Sequence, residues 1–391
     1  MDLIPYGRQE ITAEDVAAVT EALNSDWLTQ GPAVPRFERE VAAYCGVGHG
    51  VAANSATSAL HIACLALGLQ SGDWLWTSPN TFVASANCGL YCGAQVDFVD
   101  IDPHTLNMSA TALAQKLAVA KAAGRLPKVV IPVHFAGQSC DMESMAELAR
   151  EFGFRLIEDA SHAIGGKYRD LPVGSCRYSD ITVFSFHPVK IVTTAEGGMA
   201  VTNDAALAER MKMLRTHGIT RDPAQMAGAS QGPWYYEQVA LGFNYRMTDI
   251  LAALGCSQIA RLDDYVARRH EIAEIYDDAL RLLPVVTPSR QTGALSALHL
   301  YVVRLRLDEL RVSRREVFLE LRAKGIGVNV HYIPVHLQPY YARMGFKPND
   351  FPESERYYAE ALSLPMFPTL TREQQRIVIG ALQESLAVAA A

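Results

Sequence analysis

Between about residues 45 and 205, short apolar runs alternate with stretches of helical periodicity. Strand-like runs stand at Gly50-Val51-Ala52-Ala53, Val96-Asp97-Phe98-Val99-Asp100, Val129-Val130-Ile131-Pro132-Val133, Arg155-Leu156-Ile157-Glu158-Asp159 and Ile181-Thr182-Val183-Phe184-Ser185-Phe186. Between them, segments such as Met142 to Phe152 and Ala205 to His217 repeat apolar residues at helical spacing. Strands and helices in this order predict an α/β fold, a mostly parallel sheet flanked by helices on both faces. Ligands of such sheets bind beyond the carboxyl ends of the strands.

The alternation stops at Gly218. From there to Gly242 the chain carries Asp222-Pro223, Gly228, Gly232-Pro233 and Trp234-Tyr235-Tyr236, a loop long enough to suggest a binding or interface role. Met247 to Leu283 reads as one long helix with at most a gentle interruption. Strand-like Leu298 to Leu307, a helix from Arg314 to Lys324 and strand-like Val328-Asn329-Val330 then predict a small α+β unit. The expected division is 1–260 for a large ligand-binding domain with an N-terminal arm, and 261–391 for a smaller C-terminal domain that includes a linker helix.

Composition narrows the class. The 391 residues are 49% hydrophobic, ample for a buried core, and the net charge of −7 with no Lys/Arg run argues against a nucleic-acid partner. The opening Met1-Asp2-Leu3-Ile4-Pro5 has no basic segment leading into an apolar one, and no charge-free run approaches membrane-spanning length, so a cytoplasmic protein without a membrane partner is expected. The seven cysteines read as small core residues of a reducing compartment. Cys88 and Cys92 fall on one helix face, but no second Cys/His pair at zinc spacing follows, so no metal is expected.

Three features carry candidate chemistry. Lys190 closes Ser185-Phe186-His187-Pro188-Val189-Lys190, just after an apolar run. Buried there, its ammonium would lose hydration, its pKa would fall and the free amine could form a Schiff base with an aldehyde; in solvent it would be an ordinary loop lysine. Asp159 ends a strand, where a buried carboxylate needs a cationic partner such as a pyridinium N–H, although a helix cap would also satisfy it. Asn54-Ser55-Ala56-Thr57-Ser58-Ala59-Leu60 opens a helix after a strand, so Thr57 and Ser58 mark either a phosphate site or a plain N-cap. Nearby, Phe82 could stack on an aromatic ring or simply fill the core, and His162 could press on a ring or bind the acid. A phosphate site, an acid and a lysine in one pocket suit a single ligand, pyridoxal 5'-phosphate (PLP), through its phosphate, ring nitrogen and aldehyde.

The order of these segments resembles the fold-type I PLP-dependent transferases, and more narrowly the DegT/DnrJ/EryC1/StrS family of nucleotide-sugar aminotransferases. The resemblance covers nearly the whole chain, from Ile4-Pro5-Tyr6 and Trp27-Leu28-Thr29-Gln30-Gly31-Pro32, through Asn54 to Leu60 and Glu158-Asp159-Ala160-Ser161-His162, to Gly242-Phe243-Asn244-Tyr245-Arg246-Met247. It implies that Lys190 carries the cofactor, that Asp159 pairs with the pyridine nitrogen, and that Thr57, Ser58 and Ser185 hold the phosphate. It implies too that Asn244 reaches the phosphate of a neighbouring subunit, so that a homodimer shares composite sites. Within the family the likeness is to the pseudaminic acid branch. The partners it implies are a UDP-linked 4-keto-6-deoxy sugar, with L-glutamate as amino donor leaving as 2-oxoglutarate and pyridoxamine phosphate as the intermediate cofactor form. Tyr6, His331 and Tyr332 lie in segments that approach the sugar nucleotide in the family, and Arg246 and His217 are weaker candidates for its diphosphate. A family dehydratase would carry histidine at position 190, so the lysine there favours amino transfer; a non-catalytic PLP-bound regulator is a further alternative.

Overall fold

The structure, a computed structural model, describes residues 3–390. Met1, Asp2 and Ala391, the outermost residues of the expected division, lie outside it. Seven strands form the central sheet: β1 (His49–Ala53), β2 (Trp74–Thr77), β3 (Gln95–Phe98), β4 (Val129–Ile131), β5 (Arg155–Asp159), β6 (Ile181–Ser185) and β7 (Gly198–Thr202). Their spatial order is β1-β7-β6-β5-β4-β2-β3. All pairings are parallel except those of β7, which runs antiparallel to both β1 and β6.

Both faces of the sheet are covered, which is why its strands read as unbroken apolar runs. Val51, Ala53, Val183 and Ala200 pack on one side with the helix Ala56–Ala66. Their neighbours in sequence, Ala52, Phe184, Met199 and Val201, pack on the other with the helices Ala33–Cys45 and Asp249–Ile259. The two-residue period of the strands thus feeds two separate cores.

A third core surrounds an antiparallel sheet of Val285–Val286, Tyr301–Leu305 and Ala361–Leu364. The long helix expected from Met247 to Leu283 is two helices, Asp249–Ile259 and Leu262–Leu280. Arg261 sits at the break, with its guanidinium 2.7 and 2.8 Å from the buried carboxylate of Asp15. The second helix serves two cores at once: Leu262, Tyr265 and Val266 pack with the large sheet, and Ile272, Tyr276 and Leu280 with the small one.

Ile4–Pro5 pairs in parallel with Ile326–Gly327, so the N-terminal arm lies on the C-terminal unit. Val328 to Val330, expected as a strand, instead leave the short pairing at Gly327 and run as a loop, touching the small sheet through an Asn329–Ser363 bridge. The segment from Gly218 to Gly242 is a long excursion whose base is closed by Ile219–Thr220 against Glu237–Gln238, with Trp234, Tyr236 and Leu241 exposed. Among the described residues no helix is long and apolar enough to cross a membrane.

Candidate active site

The carboxyl ends of the neighbouring strands β5 and β6 bring Asp159, opposite Val183, and Ser185, two residues further along, to one cavity. Beyond Ser185 the chain turns, the Lys190 N–H donating to the His187 carbonyl at 2.9 Å, and the Lys190 side chain points back into a cavity of about 450 Å3. The helix Ala56–Ala66 points its first turn at the same space. Gly198 at the start of β7 permits this closeness, because a Cβ there would lie 2.4 Å from the Ala56 nitrogen.

Asp159 is held at both oxygens. The Ser85 hydroxyl donates to Oδ2 at 2.6 Å and the Ser161 N–H donates to Oδ1 at 3.1 Å. Lys190 is partly exposed, into the cavity it lines. Loss of hydration pushes its ammonium down to about 8, and the negative charge of Asp159 offsets part of that fall. The next residue back from Asp159, Glu158, points to the opposite face, where the His134 Nε2 lies 2.6 Å from it and Ser179 and Thr182 also donate.

Three buried histidines line the cavity, His162, His299 and His331. Burial, reinforced by the charge of Lys190, holds all three well below the usual imidazole range, His331 at about 3. They are therefore neutral. The Ala136 N–H donates to His162 Nδ1 at 3.3 Å, so the ring proton sits on Nε2 and is donated to the Tyr332 hydroxyl at 3.1 Å. That leaves the Tyr332 hydroxyl free to donate its own proton elsewhere. His331 Nδ1 lies 2.7 Å from Ser363 Oγ, and its ring packs 5.2 Å from that of Tyr6.

Most of the residues singled out from the sequence meet in this one cavity: Thr57, Phe82, Asp159, His162, Ser185, Lys190, Tyr6, His331 and Tyr332 all line it. Phe82 is 58% exposed at its mouth, 6.2 Å from the Tyr332 ring, and so is not a core residue. Ser58 lies just behind the lining; its hydroxyl donates to Asn54 at 2.6 Å and its N–H is capped by Ser55. Asn244 is exposed and does not line the cavity of its own chain. Arg246 lines a separate small cleft beside Arg215, and His217 lies away from both.

Sequence reasoning missed Ser85, Thr81, His299 and Asn329. Ser85 and Thr81 flank an apolar stretch that reads as core helix, and the strand-like context of His299 gave no hint of a cavity. His299 is fixed from behind: the buried guanidinium of Arg269 donates to the carbonyls of Leu298, His299 and Met366, each at 3.1 Å. Its Nδ1 is buried with no hydrogen-bond partner among the described residues.

The donor set fits PLP. The first turn of Ala56–Ala66 leaves the Ala56 and Thr57 N–H groups unpaired within the helix, with the Ser185 hydroxyl lining the same cavity, a combination that suits a phosphate. A doubly anchored carboxylate suits a pyridinium, and a largely dehydrated amine suits an aldehyde.

Comparison with known proteins agrees. The DegT/DnrJ/EryC1/StrS aminotransferase family model matches residues 9–383. The spore coat polysaccharide biosynthesis protein SpsC of Bacillus subtilis (strain 168) is 41% identical over 384 residues, 97% of this chain and 96% of that protein. The structure of Helicobacter pylori PseC, an aminotransferase involved in the biosynthesis of pseudoaminic acid, superposes with a TM-score of 0.90 at 30% identity, over 99% of this chain and 100% of that one. The PLP form of a putative sugar aminotransferase from Streptococcus pneumoniae superposes with a TM-score of 0.88 at 29% identity, over 99% of each chain.

Proposed function

We propose that this chain, a PLP-dependent sugar aminotransferase that belongs to the DegT/DnrJ/EryC1/StrS aminotransferase family, takes a UDP-linked 4-keto-6-deoxy sugar as its substrate. The sugar is UDP-2-acetamido-2,6-dideoxy-β-L-arabino-hex-4-ulose, the donor is L-glutamate, and the product is UDP-4-amino-4,6-dideoxy-N-acetyl-β-L-altrosamine. The observation that carries this reading is the likeness to PseC over the whole length of both chains.

Bound PLP supplies an aldehyde for imine formation and a ring that accepts the electron pair released when a C–H bond breaks. The residues placed to hold it are Thr57 and Ser185 at the phosphate, with Ser58 supporting the helix start, Asp159 at the ring nitrogen, Phe82 and His162 beside the ring, and Lys190 at the aldehyde. With the cofactor bound, Lys190 Nζ would be the base placed to take the proton from the donor's α-carbon. In the return half-reaction the same amine delivers a proton to carbon 4 of the sugar. An amine near 8 does both at neutral pH, because it can hold and release the proton with little driving force either way. Tyr6, His331 and Tyr332 form the wall that faces the sugar, and the proton freed on Tyr332 is available to a sugar oxygen.

Among the residues lining the cavity, Lys190 is the one lysine or arginine, and the three buried imidazoles are neutral. A diphosphate and the carboxylates of glutamate need further positive or amide-rich contacts. This supports a composite site in a homodimer, with the exposed Asn244 of one subunit serving the cavity of its partner.

Product analysis with glutamate and the two C5-epimeric UDP-4-keto sugars tests the assignment. Preferential turnover of the L-arabino epimer is expected; equal turnover, or preference for the D-xylo epimer, defeats it. The second outcome has its own support, since SpsC, a spore coat polysaccharide protein, shares more sequence with this chain than PseC does, which favours an aminotransferase for another nucleotide-linked keto sugar.

A further inference from the structure

We infer that Ser85 and Thr81 form a directed hydroxyl relay that positions Asp159 and sets how strongly its carboxylate draws on the proton of the cofactor's ring nitrogen. The inference rests on the reading that Asp159 meets that nitrogen.

Proton counting fixes the direction. Ser85 Oγ has one proton and three acceptors within reach, Asp159 Oδ2 at 2.6 Å, Thr81 Oγ1 at 2.8 Å and the Phe82 carbonyl at 3.4 Å. The short contact to a charged oxygen takes it. Thr81 Oγ1 lies 2.8 Å from Ser85 Oγ, and Ser85 has no second proton to give, so Thr81 donates. The chain therefore runs from Thr81 to Ser85 to Asp159. All three side chains are buried, Ser85 completely. Thr81 lines the cavity, whereas Ser85 stands behind the carboxylate and does not. Each donor polarises the next, so the relay draws negative charge off Oδ2 more than a lone serine would.

With the Ser161 N–H on Oδ1, both oxygens are committed before a ligand arrives, which fixes the plane of the carboxylate. Ser85 touches neither substrate nor cofactor; it is a positioning residue acting through Asp159. Without it, one oxygen loses a charge-assisted donor in a dehydrated site. Its charge is then compensated less, and it pulls harder on the ring proton.

The test uses holoenzyme reconstituted with PLP labelled with nitrogen-15 in the ring, read by nitrogen-15 NMR and by PLP affinity. Asp159→Asn is expected to move the signal fully toward neutral pyridine. Ser85→Ala is expected to move it part of the way and, because the plane of the Asp159 carboxylate is no longer fixed before the ligand arrives, to weaken PLP binding about 10-fold, the scale of one hydrogen bond to a charged group. Ser85→Thr keeps the hydroxyl and is expected to restore both. Thr81→Val is expected to give a smaller shift in the same direction, and it carries the test if Ser85→Ala fails to fold. If Asp159→Asn moves the signal but Ser85→Ala and Thr81→Val leave it at the wild-type position, the relay is refuted and the role of Asp159 stands. If Asp159→Asn leaves it unmoved, the reading beneath the relay fails instead. A Ser85→Thr protein that stays shifted assigns the effect to packing and overturns the relay.

Discussion

Capture of PLP by the apoprotein should switch on as pH rises toward 8 and then stop rising. Only a neutral amine attacks an aldehyde, and dehydration in the cavity pushes Lys190 down to about 8. At neutral pH about a tenth of its amine is then unprotonated, whereas an ordinary lysine near 10.4 has only about 0.04%. The cavity thus raises the reactive fraction by roughly 200-fold. In stopped-flow absorbance at saturating PLP, the rate of Schiff-base formation should climb about tenfold per pH unit below the midpoint and flatten above it. Asp159→Asn adds a signed control. The Asp159 charge holds the Lys190 value up, so its removal should lower the midpoint. A rate still climbing steeply beyond about pH 9.5 means Lys190 keeps its water, and a midpoint raised by Asp159→Asn means the Asp159 charge does not hold the Lys190 value up; either result refutes the argument.

Further outcomes follow from the same contacts. Lys190→Met apoprotein should melt higher than wild type at neutral pH. The folded state depresses the Lys190 value, so the cost of its charge is present below about 8 and fades as pH rises toward the ordinary lysine range; thermal melts across that window should show the advantage shrinking. Gly198→Ala drives a Cβ against the start of Ala56–Ala66 and should cost about 1–3 kcal/mol in urea unfolding while loosening PLP. Arg269→Met strips the donor from three buried carbonyls and should cost about 3 kcal/mol, read as a lower urea midpoint at unchanged slope. Asn244→Ala should weaken PLP binding in equilibrium titration, and an unchanged affinity would remove Asn244 from the site.

Legibility from the sequence tracked the range of the interactions. Asp159 and Ser185 end strands, and strand ends follow from local periodicity, so their meeting at one cavity was foreseeable. Lys190 and Thr57 were legible for a related reason, each lying within a few residues of a strand end. Ser85 and His299 were not. The role of Ser85 depends on a partner 74 residues away, and its neighbours Ala84 and Ala86 read as buried helix. The position of His299 is set by Arg269, on a helix 30 residues earlier whose pattern gives no sign of a buried guanidinium. The break at Arg261 is of the same kind, since the Asp15 carboxylate that meets its guanidinium lies 246 residues away, outside any window of helical periodicity. The strand expected at Val328 to Val330 failed because alternation cannot tell a paired strand from an extended loop.

The helix Leu262–Leu280, which gives its first turns to one core and its later turns to another, has a thermal consequence. Loosening either core bares apolar surface on a helix the other still needs, so neither half has a melting point of its own. Calorimetry of the apoprotein should show one endotherm whose calorimetric and van't Hoff enthalpies agree, despite two separate sheets.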